Sequence, residues 1–208
     1  MKLAVTVIIL LLSITSYASQ RAITDTGEEV ILNNDGTWQL SSNNQKILIK
    51  IGINKNKFTK PKSSSFLLKS IKNNSAYWIN TNKWAFKKAT GNSESEYGLQ
   101  LKGKDLYGMT IAEGVEIELE ALTDIAISNA KNAAPDIKVV KKEYRMVNGK
   151  KVIYMEMRGT IKSIKFTYLG YYYSDKSGST QLITYTATNL VEKYKSEIFD
   201  LLNGLTTK

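Results

Sequence analysis

The 208-residue chain contains no cysteine and no histidine. Without a thiol there is no disulfide, no thiolate nucleophile and no thiolate metal site. Without imidazole there is no Ser–His or Cys–His dyad and no histidine ligand. The side chains left for chemistry are carboxylates, lysine, tyrosine and arginine. A carboxylate-dependent hydrolase or lyase, acting for example on glycans, needs two carboxyls about 5–10 Å apart in one cleft. Asp105, Glu113, Asp124 and Glu156 are scattered along the sequence without a recognisable pair.

Glu94, Glu96, Glu116, Glu118 and Glu120 concentrate acid in an otherwise basic chain, and Glu116 and Glu120 are spaced to share a helix face. Calcium takes several oxygens, but neither an EF-hand nor an Asp-rich loop accompanies them. A solvated helix face is the expectation, with no metal and no cofactor. Tyr171, Tyr173 and Tyr185 are candidates for an aromatic row on one sheet face, of the kind that binds sugars, bases or peptides. The same rows also form ordinary cross-strand packing pairs, which is the favoured reading. Arg145 and Arg158 are each able to clamp a carboxylate, with a surface ion pair as the default. Tyr171, Tyr173, Tyr185 and Arg158 make up the candidate ligand-binding set, and no residue is assigned a catalytic role.

The formal net charge is +10. Almost all of the basic residues are lysines, whereas phosphate and base readout lean on arginine. Nucleic acid is therefore not an expected partner. Weak contact with an anionic membrane surface remains compatible with the charge. The expected partner is another envelope or exported protein.

These side chains need a frame, and the strongest local signal for one is Lys162 to Asp175. Phe166, Tyr168, Tyr171, Tyr172 and Tyr173 fall within it, and both period-two faces carry large groups. That predicts a central strand covered on both sides. Asp175 to Ser179 reads as a turn into a second strand over Thr180 to Thr188. Lys151 to Thr160 precedes them as a third, and Gly159 to Ser163 is too short for a helical crossover, so the three form an antiparallel meander. Asn148-Gly149 is the strongest hairpin signal and joins this meander to a strand over Asp136 to Val147. Ala76 to Asn80, Trp84 to Phe86, Glu96 to Lys102 and Leu106 to Ala112 read as further strands, with Trp78 and Trp84 as core anchors. Apolar spacing predicts helices over Glu116 to Ala134, stopped by Pro135, and over Asn189 to Asn203, with Asn189 as N-cap and Gly204 at the C-terminus.

Met1 to Ala18 has the form of a secretory signal: Lys2, an apolar core from Leu3 to Leu12, and a small-x-small site at Ser16-Tyr17-Ala18. The apolar run is short for a membrane span. Ile23 to Ser41 reads as a small hairpin turning at Asn33 to Gly36, with Trp38 pinning it to a neighbouring surface. Asn54 to Ser65 reads as a linker. The division is a signal peptide over 1–18, a hairpin over 19–41, a Lys/Asn/Ser-rich linker with one short strand over 42–73, and an α/β domain over 74–208.

The order of Tyr77-Trp78, Trp84, the mid-chain helix, the meander, and TQLITYTAT leading into YKSEIFDLLNGL resembles the PsbP-like superfamily, which groups PsbP, Mog and exported DcrB-type proteins. The resemblance spans about Ala76 to Leu205. Exported Bacteroidetes-type proteins of unknown function resemble the chain throughout. The resemblance implies an α+β fold, an antiparallel sheet flanked by two long helices in an α-β-α sandwich, with the hairpin ahead of it. It also implies a binding or assembly role without catalysis. The expectation is thus a non-enzymatic periplasmic or secreted binding protein. A carboxylate-dependent envelope hydrolase or lyase and an envelope-surface stress factor are the alternatives.

Overall fold

A computed structural model describes residues 20–24, 29–40, 51–90 and 94–208. The signal segment and the run from 41 to 50 lie outside the described residues. Fourteen strands and two α-helices are formed among those described. Three short strands, β1 (Gln20–Ile23), β2 (Glu29–Leu32) and β3 (Trp38–Leu40), make an antiparallel sheet of their own. The remaining strands are β4 (Gly52–Phe58), β5 (Phe66–Lys69), β6 (Ser75–Ile79), β7 (Trp84–Lys88), β8 (Tyr97–Leu101), β9 (Tyr107–Glu113), β10 (Lys138–Val147), β11 (Lys150–Ile161), β12 (Ile164–Asp175), β13 (Gly178–Ala187) and β14 (Leu205–Thr207). Helix α1 (Leu119–Ala133) follows β9, and α2 (Lys195–Leu202) precedes β14.

Eight strands form the main sheet in the order β4-β10-β11-β12-β13-β9-β8-β7, and β14-β6-β5 form a smaller one. The aromatic stretch is β12, in the middle of the main sheet and flanked by β11 and β13. Its hairpins close on two-residue turns whose chemistry is local. Asn148 and Gly149, at φ 48° and 78°, join β10 to β11. Lys162 and Ser163, at φ 48° and 67°, join β11 to β12 without a glycine, so no turn signal marked that boundary. At the β12–β13 turn, Asp175 Oδ1 accepts from the Ser177 backbone N–H at 2.8 Å and from its hydroxyl at 2.6 Å.

The architecture is predominantly β, which corrects the expected sheet between two long helices. α1 has 15 residues and α2 only eight. The segment predicted as a helix from Asn189 opens instead as a 3-10 turn over Thr188–Leu190, and no side chain caps α2 at Tyr194. Thr188 Oγ1 lies 3.0 Å from Thr167 Oγ1 and ties this segment to β12. Val191, Tyr194, Ile198, Leu201 and Leu202 are buried all the same. The apolar stripe is satisfied by burial of an irregular lead-in rather than by a long helix.

The main sheet is also mixed rather than antiparallel, because β4 pairs parallel to β10. This strand lies where composition predicts a linker. Asn54 Nδ2 donates to Glu143 Oε1 at 2.9 Å, and the Asn148 N–H donates to the Phe58 carbonyl at 2.9 Å. Specific polar bonds to β10 hold a segment too hydrophilic to signal a strand. Likewise the AYWIN segment is β6 of the smaller sheet, held between β5 and β14.

Two apolar clusters face each other across the main sheet. On one side Tyr77, Trp84, Tyr154, Leu169, Tyr171 and Leu182 pack with α2 and the smaller sheet. On the other, Ile153, Met155, Met157, Phe166 and Tyr172 pack against Leu122 and Ala126 of α1. Among the described residues no helix is long and apolar enough to cross a membrane.

Candidate functional groove

The register across four strands builds the floor of a groove. Ile153 of β11, Tyr172 of β12, Gln181 of β13 and Ile111 of β9 stand in one row; Met155, Gly170, Ile183 and Met109 stand in the next. Alternation puts all of them on the α1 side. The helix seats over β11 and β12 through Leu122 and Ala126. It leaves the β13 and β9 positions of each row uncovered. Small side chains keep the space open: Ala126, Ala130 and Ala133 on α1, and Gly170 on β12. A Cβ at Gly170 would sit 3.3 Å from both the Tyr172 ring and Ile183, so this glycine lets the Tyr172 ring lie across the strand.

The result is a pair of adjoining cavities of about 260 and about 300 Å³ that share Glu94, Ile111, Asn129 and Gln181. One arm ends among Ile117, Leu122 and Ile125; the other ends among Met157, Tyr168 and Tyr172. Beyond the second arm the next row continues as an aromatic ladder. Tyr168 meets Tyr185 edge-on at 5.7 Å, and Tyr185 stacks on Tyr107 at 5.5 Å.

The polar groups of the groove are few. Gln181 is 6% exposed, and its carboxamide makes no hydrogen bond with a described residue. The hydroxyl of its cross-strand neighbour Tyr172 makes none either. Burial, reinforced by Tyr168, pushes the Tyr172 phenol well above its ordinary range, so it stays protonated and able to donate. Burial likewise raises Tyr185, with Tyr107 as the lesser cause. Glu94 and Asn129 stand exposed at the rim. Among the described residues no lysine or arginine lines either cavity.

The structure separates the tyrosines that the sequence grouped. Tyr185 is on the α1 side, in the ladder beside the groove. Tyr171 and Tyr173 project from the opposite face into the α2-side core. Tyr171 donates to Asn203 Oδ1 at 2.9 Å and accepts from Arg145 Nη1 at 3.1 Å; Tyr173 donates to Asp175 Oδ2 at 2.9 Å. Arg158 is exposed and pairs with Glu156 on its own strand at 2.8 Å. Arg145 clamps a carboxylate within the protein: it binds Glu143 at 2.7 Å and lies buried with its guanidinium 3.8 Å from the Tyr154 ring centroid. Trp84 is a core residue, and Trp78 is half-buried beneath Lys60 at 4.6 Å. Trp38 is 60% exposed.

The acidic residues do not converge. Glu113 pairs with Lys72 at 3.1 Å, Asp124 with Lys142 at 3.5 Å, and Glu120 accepts from the Tyr144 hydroxyl. Glu116 and Glu118 precede α1 instead of sharing a face of it. Glu96 is buried near the smaller sheet, with one oxygen accepting from the Ile71 N–H at 2.6 Å and the other unpartnered. No group of three or more acidic residues suited to a metal exists among the described residues. Gln181, Tyr172 and Asn129 are the residues the sequence reading missed. One signal for Gln181 was available: in a strand expected to be buried, it is the polar residue on the face of Ile183 and Tyr185.

No family model matches the sequence, and no curated protein matches it either. Solved structures do. The solution structure of cyanobacterial PsbP (CyanoP) from Synechocystis sp. PCC 6803 is similar at a TM-score of 0.55 and 15% identity, covering 71% of this chain and 95% of that one. A Pseudomonas aeruginosa protein of unknown function is similar at a TM-score of 0.40 and 8% identity, over 55% of this chain and 75% of that one. A protein from Bacteroides thetaiotaomicron is similar at a TM-score of 0.40 and 9% identity, over 64% of this chain and 45% of that one. The first likeness shows that the chain has the PsbP fold. At such identity it shows the fold alone.

Proposed function

We propose that the chain is an exported, non-catalytic binding protein of the cell envelope, and that the groove between α1 and strands β9 and β13 is its ligand site. The observation that carries this reading is the Gln181 carboxamide on the floor of the groove, which opens to a largely apolar cavity and has no hydrogen-bond partner among the described residues. Apolar cavities with a few convergent polar groups are the usual form of small-molecule sites. The absence of histidine and cysteine from the sequence supports a non-catalytic role. So does the arrangement of Glu113, Asp124 and Glu156, each held in an ion pair of its own. Export rests on the signal-like segment from Met1 to Ala18.

The test is to express the full chain with its leader and isolate the exported form under native conditions. Native mass spectrometry should find a chain beginning after Ala18 that carries a bound small molecule. Asn129→Trp, an exposed rim position lining both cavities, should lose that molecule while keeping the far-ultraviolet spectrum. A chain that retains its leader inside the cell contradicts export. A ligand retained equally by Asn129→Trp contradicts the assignment of the groove.

A further inference from the structure

Given that the groove is the ligand site, its polar and apolar groups specify what it takes. We infer that the ligand is an uncharged amphiphile with a single internal carboxamide between two apolar arms, as in an N-alkyl fatty amide.

The position of the polar group comes first. Gln181 lines both cavities, so it stands where the two arms of the groove meet rather than at an end. The residue is 6% exposed, its amide atoms share in that exposure, and they have no hydrogen-bond partner among the described residues. With no protein partner, the amide is left to water or to a ligand in the groove. The group carries both donor and acceptor. Its full complement is another group with both, and a carboxamide supplies them in one plane. The Tyr172 hydroxyl, adjacent in the register, adds one more donor or acceptor. One arm has an apolar wall of Ile117, Leu122 and Ile125 facing Glu113, Ser179 and Thr180; the other is mainly apolar, with Met109, Met157 and Ile183.

The charge follows. A chain of net charge +10 would be expected to attract anions, yet no cation lines this groove among the described residues. The charged groups that do line it are Glu94 and Glu113. Lys72, near one end, is engaged by Glu113 at 3.1 Å. Lys87 lies on the same sheet face but two strands beyond Met109, and it is exposed. An acyl carboxylate would be desolvated beside carboxylates with no counter-charge. A peptide segment fits poorly for a different reason. Every residue of it brings a backbone donor and acceptor, whereas the buried polar side chains lining the groove among the described residues are few, Gln181, Tyr172, Ser179 and Thr180.

Four probes of similar apolar size separate these cases: N-hexylhexanamide, hexyl hexanoate, dodecanoate, and the neutral peptide N-acetyl-Leu-Leu-amide. Binding to the full exported chain is followed by calorimetry and by backbone amide shifts. The amide should bind at least tenfold more tightly than the ester, which has the same shape without the N–H, and more tightly than dodecanoate or the peptide. Gln181→Leu, which removes both bonds to the amide and the one to the ester carbonyl, should bring the two to the same, lower affinity. Dodecanoate or the peptide binding as tightly as the amide would overturn the inference, as would an amide-to-ester ratio unaffected by Gln181→Leu. If no probe shifts the resonances of Ile111, Asn129 and Ile183, the groove is not the ligand site and the preceding reading fails with it.

Discussion

Replacing Gln181 by leucine should make the ligand-free protein more stable. The residue is 6% exposed, and its amide, which touches solvent in the groove, finds no protein partner among the described residues. Its neighbours in the row are Tyr172 and Ile111, so a leucine of similar size meets apolar surface. Burying an amide without a compensating bond costs about 1–3 kcal/mol in protein substitution series. Water entering the open groove offsets part of that, which places the expected gain near 1–2 kcal/mol. For a chain of this length each kcal/mol moves the melting temperature by about 2–4 °C, so the variant should melt about 2–8 °C higher. Urea titration and differential scanning calorimetry of wild type and variant measure it directly. A buried group that weakens the fold is expected where binding has use for it. A variant destabilised by more than 1 kcal/mol would mean that the wild-type amide is fully satisfied, and the argument from its missing partner would fall.

Other substitutions test the frame around the groove. Arg145→Ala should cost about 2–4 kcal/mol in urea unfolding, because it leaves the partly buried Glu143 with only the more exposed Lys141 at 3.2 Å as its cation and empties the space over Tyr154. Arg158→Ala, which breaks an exposed pair on one strand, should cost less than about 1 kcal/mol in the same assay. Gly204→Ala should be among the most damaging changes, since a Cβ there would lie 2.1 Å from the Trp78 carbonyl oxygen; a melting temperature within a degree of wild type would contradict that packing. Acid should weaken the protein through Glu143. Burial works to raise its carboxyl, but bonds from Asn54 and Arg145 and the arginine charge outweigh that and hold it below its ordinary value. Its contribution is therefore complete above the unfolded value near pH 4 and is lost as pH falls through the lower folded value. Glu143→Gln should flatten that acid limb, measured as melting temperature against pH.

What the sequence made legible was the run of strands from Trp84 to Thr188, because alternation and turn residues speak locally. The aromatic density of β12 placed it in the middle of the sheet, and Asn148-Gly149 marked the hairpin between β10 and β11. What escaped had no local signal. β4 is a lysine- and asparagine-rich strand recruited by bonds to Glu143 and Asn148, residues nearly ninety positions away in sequence. The second helix had the right stripe but no side-chain cap, and Val191 and Tyr194 are buried in a 3-10 turn and short lead-in rather than in a continuous α-helix. The candidate site was hidden for a related reason. Tyr171, Tyr173 and Tyr185 look equivalent in sequence, but Tyr185 follows a turn, and only the register shows that it faces the other way. A groove made by what α1 leaves uncovered depends on alanines and a glycine, whose contribution is space.

The central claim is that a ligand lies between α1 and the β13–β9 face. Intermolecular nuclear Overhauser effects between N-hexylhexanamide and the protein test it most directly. Contacts from its two alkyl arms should fall on Ile125 and Ile117 at one end and on Met109 and Ile183 at the other, with the amide proton near Gln181. Contacts confined to the exposed Trp38 and Leu40 of the small N-terminal sheet would contradict it.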